Sequence, residues 1–167
     1  MRWSLSHRAD VRALPLADAH YNRQKPGSPQ FVPPGRCVVL LAGDPPVALW
    51  VSSWPFAEFV RHAWGGAWMC SCFRNIGAGL SSELILEAVA ATRAIWGDPP
   101  VLGMVTFVDR EKTRRKRDPG RCYRRAGFVP CGETKGGLVA LQLLPERMPN
   151  AEWPIDLSTP LFHASRP

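Results

Sequence analysis

Arg74-Asn75-Ile76-Gly77-Ala78-Gly79 joins two segments of different periodicity, and its reading decides the fold. Before it, Ala67-Trp68-Met69-Cys70-Ser71-Cys72-Phe73 is a largely apolar run of strand length. After it, residues from about Ser81 to Trp96 set Ile85, Ala88, Val89, Thr92 and Ile95 three or four residues apart, which is one face of a helix. Ser81 or Ser82 can cap that helix, Glu83 suits the positive end of its dipole, and Gly97-Asp98-Pro99-Pro100 stops it. Strand, glycine loop and helix start, in that order, make an anion site. Glycine lets the backbone come close to a ligand, and the first-turn N–H groups point at it. The competing reading is steric, since glycine loops open many helices.

The chain of 167 residues is 46% hydrophobic and 21% charged, which predicts one globular domain with room for a real core. No apolar run approaches the roughly 20 residues that span a bilayer. The start, Met1-Arg2-Trp3-Ser4-Leu5-Ser6-His7-Arg8, has no apolar signal region, so a cytoplasmic protein is expected. Cys37, Cys70, Cys72, Cys122 and Cys131 are odd in number and lack disulfide or zinc spacing, which predicts reduced thiols. Strand alternation places Cys70 and Cys72 on one face. His7, His20, His62 and His163 are scattered and suggest no metal site.

The placement of charge says more than its amount. Residues 110–125 carry nine basic side chains (Arg110, Lys112, Arg114, Arg115, Lys116, Arg117, Arg121, Arg124, Arg125) against two acidic ones, so this segment holds the whole formal net charge of +7. A concentrated basic patch predicts a polyanionic partner, nucleic acid being the commonest. A solvated charged loop is the bland alternative.

In chain order, residues 1–36 read as an N-terminal helix and loop packed on the core. Val11 to Gln24 is a candidate helix interrupted by Pro15, with Leu14, Leu16 and Ala17 buried. His20 and Tyr21 follow, and then a loop from Lys25 to Gly35 stiffened by Pro26, Pro29, Pro33 and Pro34. Residues 37–144 form the core. Cys37–Leu41 and Val47–Val51 around Gly43-Asp44-Pro45-Pro46 read as a hairpin. Pro55 to Trp64 reads as a short helix or irregular turn. Trp50, Trp54, Trp64 and Trp68 read as core packing, or in part as a stacking wall for a nucleobase. Val101–Val108 is a strand ending at Asp109, Arg121–Ala126 a short helix, and Val129–Glu133 with Leu138–Leu143 a last hairpin. Residues 145–167 read as a proline-rich surface tail of the same single domain.

Two motifs now carry a resemblance. Arg74-x-x-Gly77-x-Gly79 is similar to the pyrophosphate loop of the GNAT (Gcn5-related N-acyltransferase) superfamily, and Tyr123-Arg124-Arg125-Ala126-Gly127-Phe128 resembles its second recurrent signature. The resemblance implies an α+β fold, a mixed and mostly antiparallel sheet with a central helix after the glycine loop. It covers residues 67–144. It also implies an acyl-CoA donor held by Arg74, Asn75, Ile76, Gly77, Ala78 and Gly79, with Tyr123 as the acid that protonates the departing thiolate.

Within that superfamily the chain resembles the Mom family of phage proteins, which modify the exocyclic amine of adenine in DNA. The matching residues are His20-Tyr21, Arg74, Ser82-Glu83, Thr106-Phe107-Val108-Asp109 and Gly120-Arg121-Cys122-Tyr123. Thr-Phe-Val stands where that family has Ser-Tyr-Ala. This likeness implies Asp109, Tyr123, Arg74, Ser82 and Tyr21 as catalytic residues, a small-molecule donor, and DNA as substrate. Lys112, Arg114, Arg115, Lys116, Arg117, Arg121, Arg124 and Arg125 would then contact the nucleic acid, in a bacterial host cytoplasm if the protein is phage-encoded. An exocyclic amine is a poor nucleophile, so such an enzyme must hold it in line and accept its proton. Asp109 is the candidate base, with turn capping or a salt bridge as its structural alternative. Tyr123 could equally be a packed core residue, and Ser82 a simple helix cap. Two further functions fit the same residues: acyl-CoA-dependent acetylation of a small-molecule or protein amine, and nucleic-acid binding without catalysis.

Overall fold

The computed structural model describes residues 1–56, 60, 62–113 and 118–155. In chain order the elements are β1 (Ser4–Ser6), a 3-10 turn at Val11–Ala13 running into α1 (Leu14–Asp18), β2 (Arg36–Ala42), β3 (Ala48–Trp54) and β4 (Trp68–Asn75). Then come α2 (Ser81–Trp96), β5 (Met104–Val108), α3 (Arg121–Arg125), β6 (Val129–Glu133) and β7 (Val139–Leu143). The class is α+β, with one seven-stranded sheet in the order β1-β2-β3-β4-β5-β7-β6. Neighbouring strands are antiparallel except β4 and β5, whose parallel pairing needs the crossover that α2 supplies.

Each face of the sheet has its own cover. On one face α2 buries Leu84, Ile85, Ala88 and Val89 against Trp50, Trp68, Met104 and Leu143. On the other, Ala13, Leu16, Ala17 and Phe31 from the N-terminal segment cover Val39, Leu41, Leu49 and Val51. The helix expected over Val11–Gln24 is thus only a turn plus α1, with Pro15 in its first turn, where the missing N–H costs nothing. The following loop is tied down by Arg23. Its guanidinium pairs with Asp18 at 2.8 Å and donates to the carbonyls of Gln30, at 2.6 Å, and Ser28.

Several expectations give way to tertiary geometry. Cys70 and Cys72 do not share a face. Ser52 pairs with Cys70 and Val51 with Cys72, so Ser71 is an extra residue in β4. This bulge sends Cys70 into the α2-side core and Cys72 to the opposite cluster. The Ser71 hydroxyl fixes the bulge through Val51 O (3.3 Å) and Ser53 Oγ (2.8 Å). Neither Ser81 nor Ser82 caps α2; the N-cap position is Leu80, in extended conformation and without a side-chain bond. Val101 and Leu102 fall in a turn before β5. In the stretch expected to be a short helix or an irregular turn, Pro55, Phe56 and the segment from His62 to Trp64 are irregular, and the positions between them lie largely outside the described residues. Residues 145–155 do not trail away: Met148 is buried, and Ile155 bridges Ser4 alongside β1. The remainder of the expected tail, with His163, lies outside the described residues.

Candidate active site

The site begins where the sheet stops being continuous. β4 and β5 pair at Trp68–Met104 and Met69–Val105 and no further; beyond that the Thr106 hydroxyl reaches the Cys70 carbonyl at 3.2 Å. The end of β4, from Phe73 to Asn75, faces a cavity of about 130 Å³. His20 and Tyr21 arrive from the N-terminal segment, Phe73, Arg74 and Asn75 from β4, Ser81 from α2, Val108 from β5, and Cys122 and Tyr123 from α3. The structure thus brings together Tyr21, Arg74, Asn75 and Tyr123 from the expected site residues, although they span about a hundred positions of sequence.

Tyr123 packs edge-on against Phe73 (6.2 Å) and Phe128 (5.5 Å), and its hydroxyl lies 3.5 Å from Cys70 Sγ. Burial pushes its phenol well above the ordinary value near 10, and burial also raises the Cys70 thiol. Both groups stay protonated at neutral pH. Tyr21 stacks on His20 at 4.5 Å. Burial raises its phenol to about 12, partly opposed by a hydrogen bond from the Asp109 backbone. Arg74 occupies the next-to-last position of β4, and its Nε is buried without a hydrogen-bond partner.

The glycine loop is braced from inside. Asn75 Oδ1 accepts from the Gly77 (3.1 Å) and Ala78 (2.9 Å) amides, while Nδ2 donates to Gly79 O and Ser81 Oγ, each at 2.9 Å. Two of the amides expected to meet a ligand are thereby occupied, and Ile76 is exposed. Gly79 has φ +120°, a conformation for which glycine is suited, and a Cβ there would meet the Arg2 guanidinium. Arg2 itself pairs with Glu83 (2.9 Å) and Glu87 (2.8 Å), bringing a cation beside the loop.

Asp109 and Ser82 stand apart from the cavity. Asp109 Oδ1 accepts from the Lys112 amide at 3.0 Å, and its carbonyl takes both the amide and the hydroxyl of Thr113. Its carboxylate is a turn cap, and its backbone is what meets Tyr21. Ser82 is buried, and Ser81, one helix position earlier, takes the place on the cavity wall. Sequence reasoning missed Ser81, Phe73 and Cys122. A one-residue shift in helix phase decides Ser81 and the bulge in β4 precedes Phe73, and neither leaves a mark in composition.

Of the basic side chains, Lys112, Arg121 and Arg125 are exposed. Arg124 is tied to Asp118 and to Pro119 O, and Arg110 pairs with Glu133 at 3.6 Å. Arg114, Arg115, Lys116 and Arg117 lie outside the described residues. Among the described residues no three His, Cys, Asp or Glu side chains converge as metal ligands, and no helix is long and apolar enough to cross a membrane. No family model matches this sequence, and no curated protein or solved structure is significantly similar to it.

Proposed function

We propose that this chain is a GNAT-like group transferase that modifies a base in DNA, with the exocyclic amine of adenine as acceptor. The observation that carries the reading is the parting of β4 and β5 beside the braced glycine loop, with the Tyr123 hydroxyl at the gap. An acyl-CoA donor suits these residues. The unpaired edge of β4 offers backbone groups to an amide-bearing arm, and Arg74 and the first turn of α2 offer positive charge to its phosphates. Such a donor supplies an activated carbonyl on a thiol leaving group. Asn75 keeps the loop open by occupying two of its amides, so phosphate recognition falls on Arg74 and the start of α2.

The residues then divide the work. Tyr21 and Arg74 line the cavity where the acceptor amine must meet the donor. The amine nitrogen forms a bond to the donor carbon as the carbon–sulfur bond breaks. Tyr123 gives its proton to the sulfur and is reprotonated by the proton released from nitrogen, so amine and thioester become amide and thiol. The exposed cations Lys112, Arg121 and Arg125 contact phosphates. Acyl-CoA-dependent acetylation of a small-molecule or protein amine is the second reading. It is favoured by the commitment of Asp109, the candidate base for a poorly nucleophilic amine, to capping a turn.

Mass spectrometry of nucleosides from DNA of cells expressing the protein tests this, with Tyr123→Phe as the control. The expected result is a heavier deoxynucleoside with the wild type, reduced on the order of 100-fold or more in the variant. Unmodified DNA with turnover of acetyl-CoA on amines would establish the second reading instead. DNA binding with neither activity would leave a binding protein.

A further inference from the structure

His20 borders a second cleft as well as the cavity just described. This cleft, about 490 Å³, lies against the bulged part of β4, and its volume is within the ~300–1,000 Å³ usual for small-molecule sites. It runs on into a more apolar recess, the two sharing Pro33, Pro34, Met69, Phe107 and Leu138 as walls. His20 is the wall residue this cleft shares with the Tyr123 cavity, and none of residues 74–81 lines it.

The walls suit a flat ring. Two prolines give stiff surfaces without donors, and Phe107 is a half-buried ring on β5 that packs on Trp64 at 5.8 Å and on His62 at 4.9 Å, His62 also lining the recess. His62 adds one polar group. Its Nδ1 accepts the Trp64 amide at 3.1 Å, which puts the proton of the neutral ring on Nε2. Burial lowers its pKa and keeps it neutral at pH 7. A neutral N–H donor suits the ring nitrogens and carbonyls of a base and does not select for phosphate. Charge for phosphates sits at the edges: Lys135 borders the recess, and Lys112 is exposed on the turn after β5.

We propose that the cleft between Pro33-Pro34 and Phe107 is the acceptor subsite, taking an unstacked nucleobase on Phe107 with His62 as its hydrogen-bond donor. The inference rests on the DNA reading above and names where the base is held. It also reassigns the stacking wall expected of the tryptophans. Trp50 and Trp68 are fully buried, and Trp54 packs on Trp68 and Trp96. None of these three lines the cleft.

The test compares binding of the intact protein to a single-stranded oligodeoxyadenylate and to an abasic oligomer of the same length and charge, at one salt concentration. Wild type is expected to prefer the base-bearing strand by at least about 5-fold, the lower range of one base stacking on an aromatic ring. Phe107→Ala is expected to lose that preference while binding the abasic strand as wild type does, and Phe107→Tyr to keep it. Equal binding of both strands by the wild type, or a preference that survives Phe107→Ala, would overturn the subsite. Failure to bind either strand would remove the DNA reading itself, and the subsite with it.

Discussion

Tyr21 and Tyr123 are the only tyrosines in the chain, and both meet at one cavity. Desolvation favours their neutral forms and decides what they can do. A phenol held well above 10 is less willing to release a proton than a departing thiol with a pKa of about 8.5. In the proposed reaction Tyr123 would therefore act as a donor to sulfur that recovers its proton at once from the acceptor nitrogen. The linkage is one-signed. Below pH ~10 both folded and unfolded chains keep their phenols protonated, and the shift has no effect on stability. Above it the unfolded chain ionises while the folded one does not, so stability falls as pH rises towards the folded values. A spectroscopic titration should put the native midpoint at about 12 for Tyr21 and well above 10 for Tyr123, against midpoints near 10 in denaturant. A native phenolate forming near pH 10 would contradict the burial of the site. The motif around Tyr123 pointed to this residue in sequence. The arrival of Tyr21 beside it depends on a segment that local pattern could not orient.

Among the elements, α2 was the most legible. Its apolar spacing and its Gly-Asp-Pro-Pro stop predict Ser81–Trp96, and those are its limits. β4 was the least legible, because one inserted residue reverses the facing of everything after it. The junction before β5 depends on Gly103, with φ +62°, where a Cβ would sit 2.1 Å from the Leu143 carbonyl oxygen. Backbone cannot yield as a side-chain tip can. Gly103→Ala should destabilise by more than about 3 kcal/mol, combining the left-handed backbone cost with displacement of β7. Gly137→Ala, at φ +80° with open space around it, should cost only about 1–2 kcal/mol. Urea midpoints of the two variants at unchanged slope check the contrast, and equal losses would show that β5 and β7 are less tightly coupled than their five-pair register implies.

For the whole molecule, two clusters lie on opposite sheet faces, and the first residues join the one beneath α2. Trp3 is fully buried and donates to the Leu84 carbonyl at 2.8 Å, holding the first residues against α2. Charge is distributed as sharply as the core. With the net +7 concentrated in residues 110–125, the proposed DNA binding should be strongly salt-dependent, each phosphate contact adding about 0.9 to the slope on duplex. Replacing Arg121 and Arg125 together by Ala should lower that slope by about 2 while weakening all sequences alike. Affinity measured across a salt series decides it. An unchanged slope would place the phosphate contacts elsewhere on the surface.

The limits of α2, most of the strands, the glycine junction and the concentration of positive charge were legible in the sequence. Each of these depends on residues close together in the chain, through side-chain periodicity, turn chemistry or simple composition. Only the tertiary structure decided that Ser71 bulges, that Asn75 fills the glycine loop, that Ser81 rather than Ser82 meets the cavity, and that β4 and β5 cease pairing after two residues. These are matters of register and of contact between distant segments. A shift of one residue changes which side chain faces the site while leaving the local pattern almost untouched.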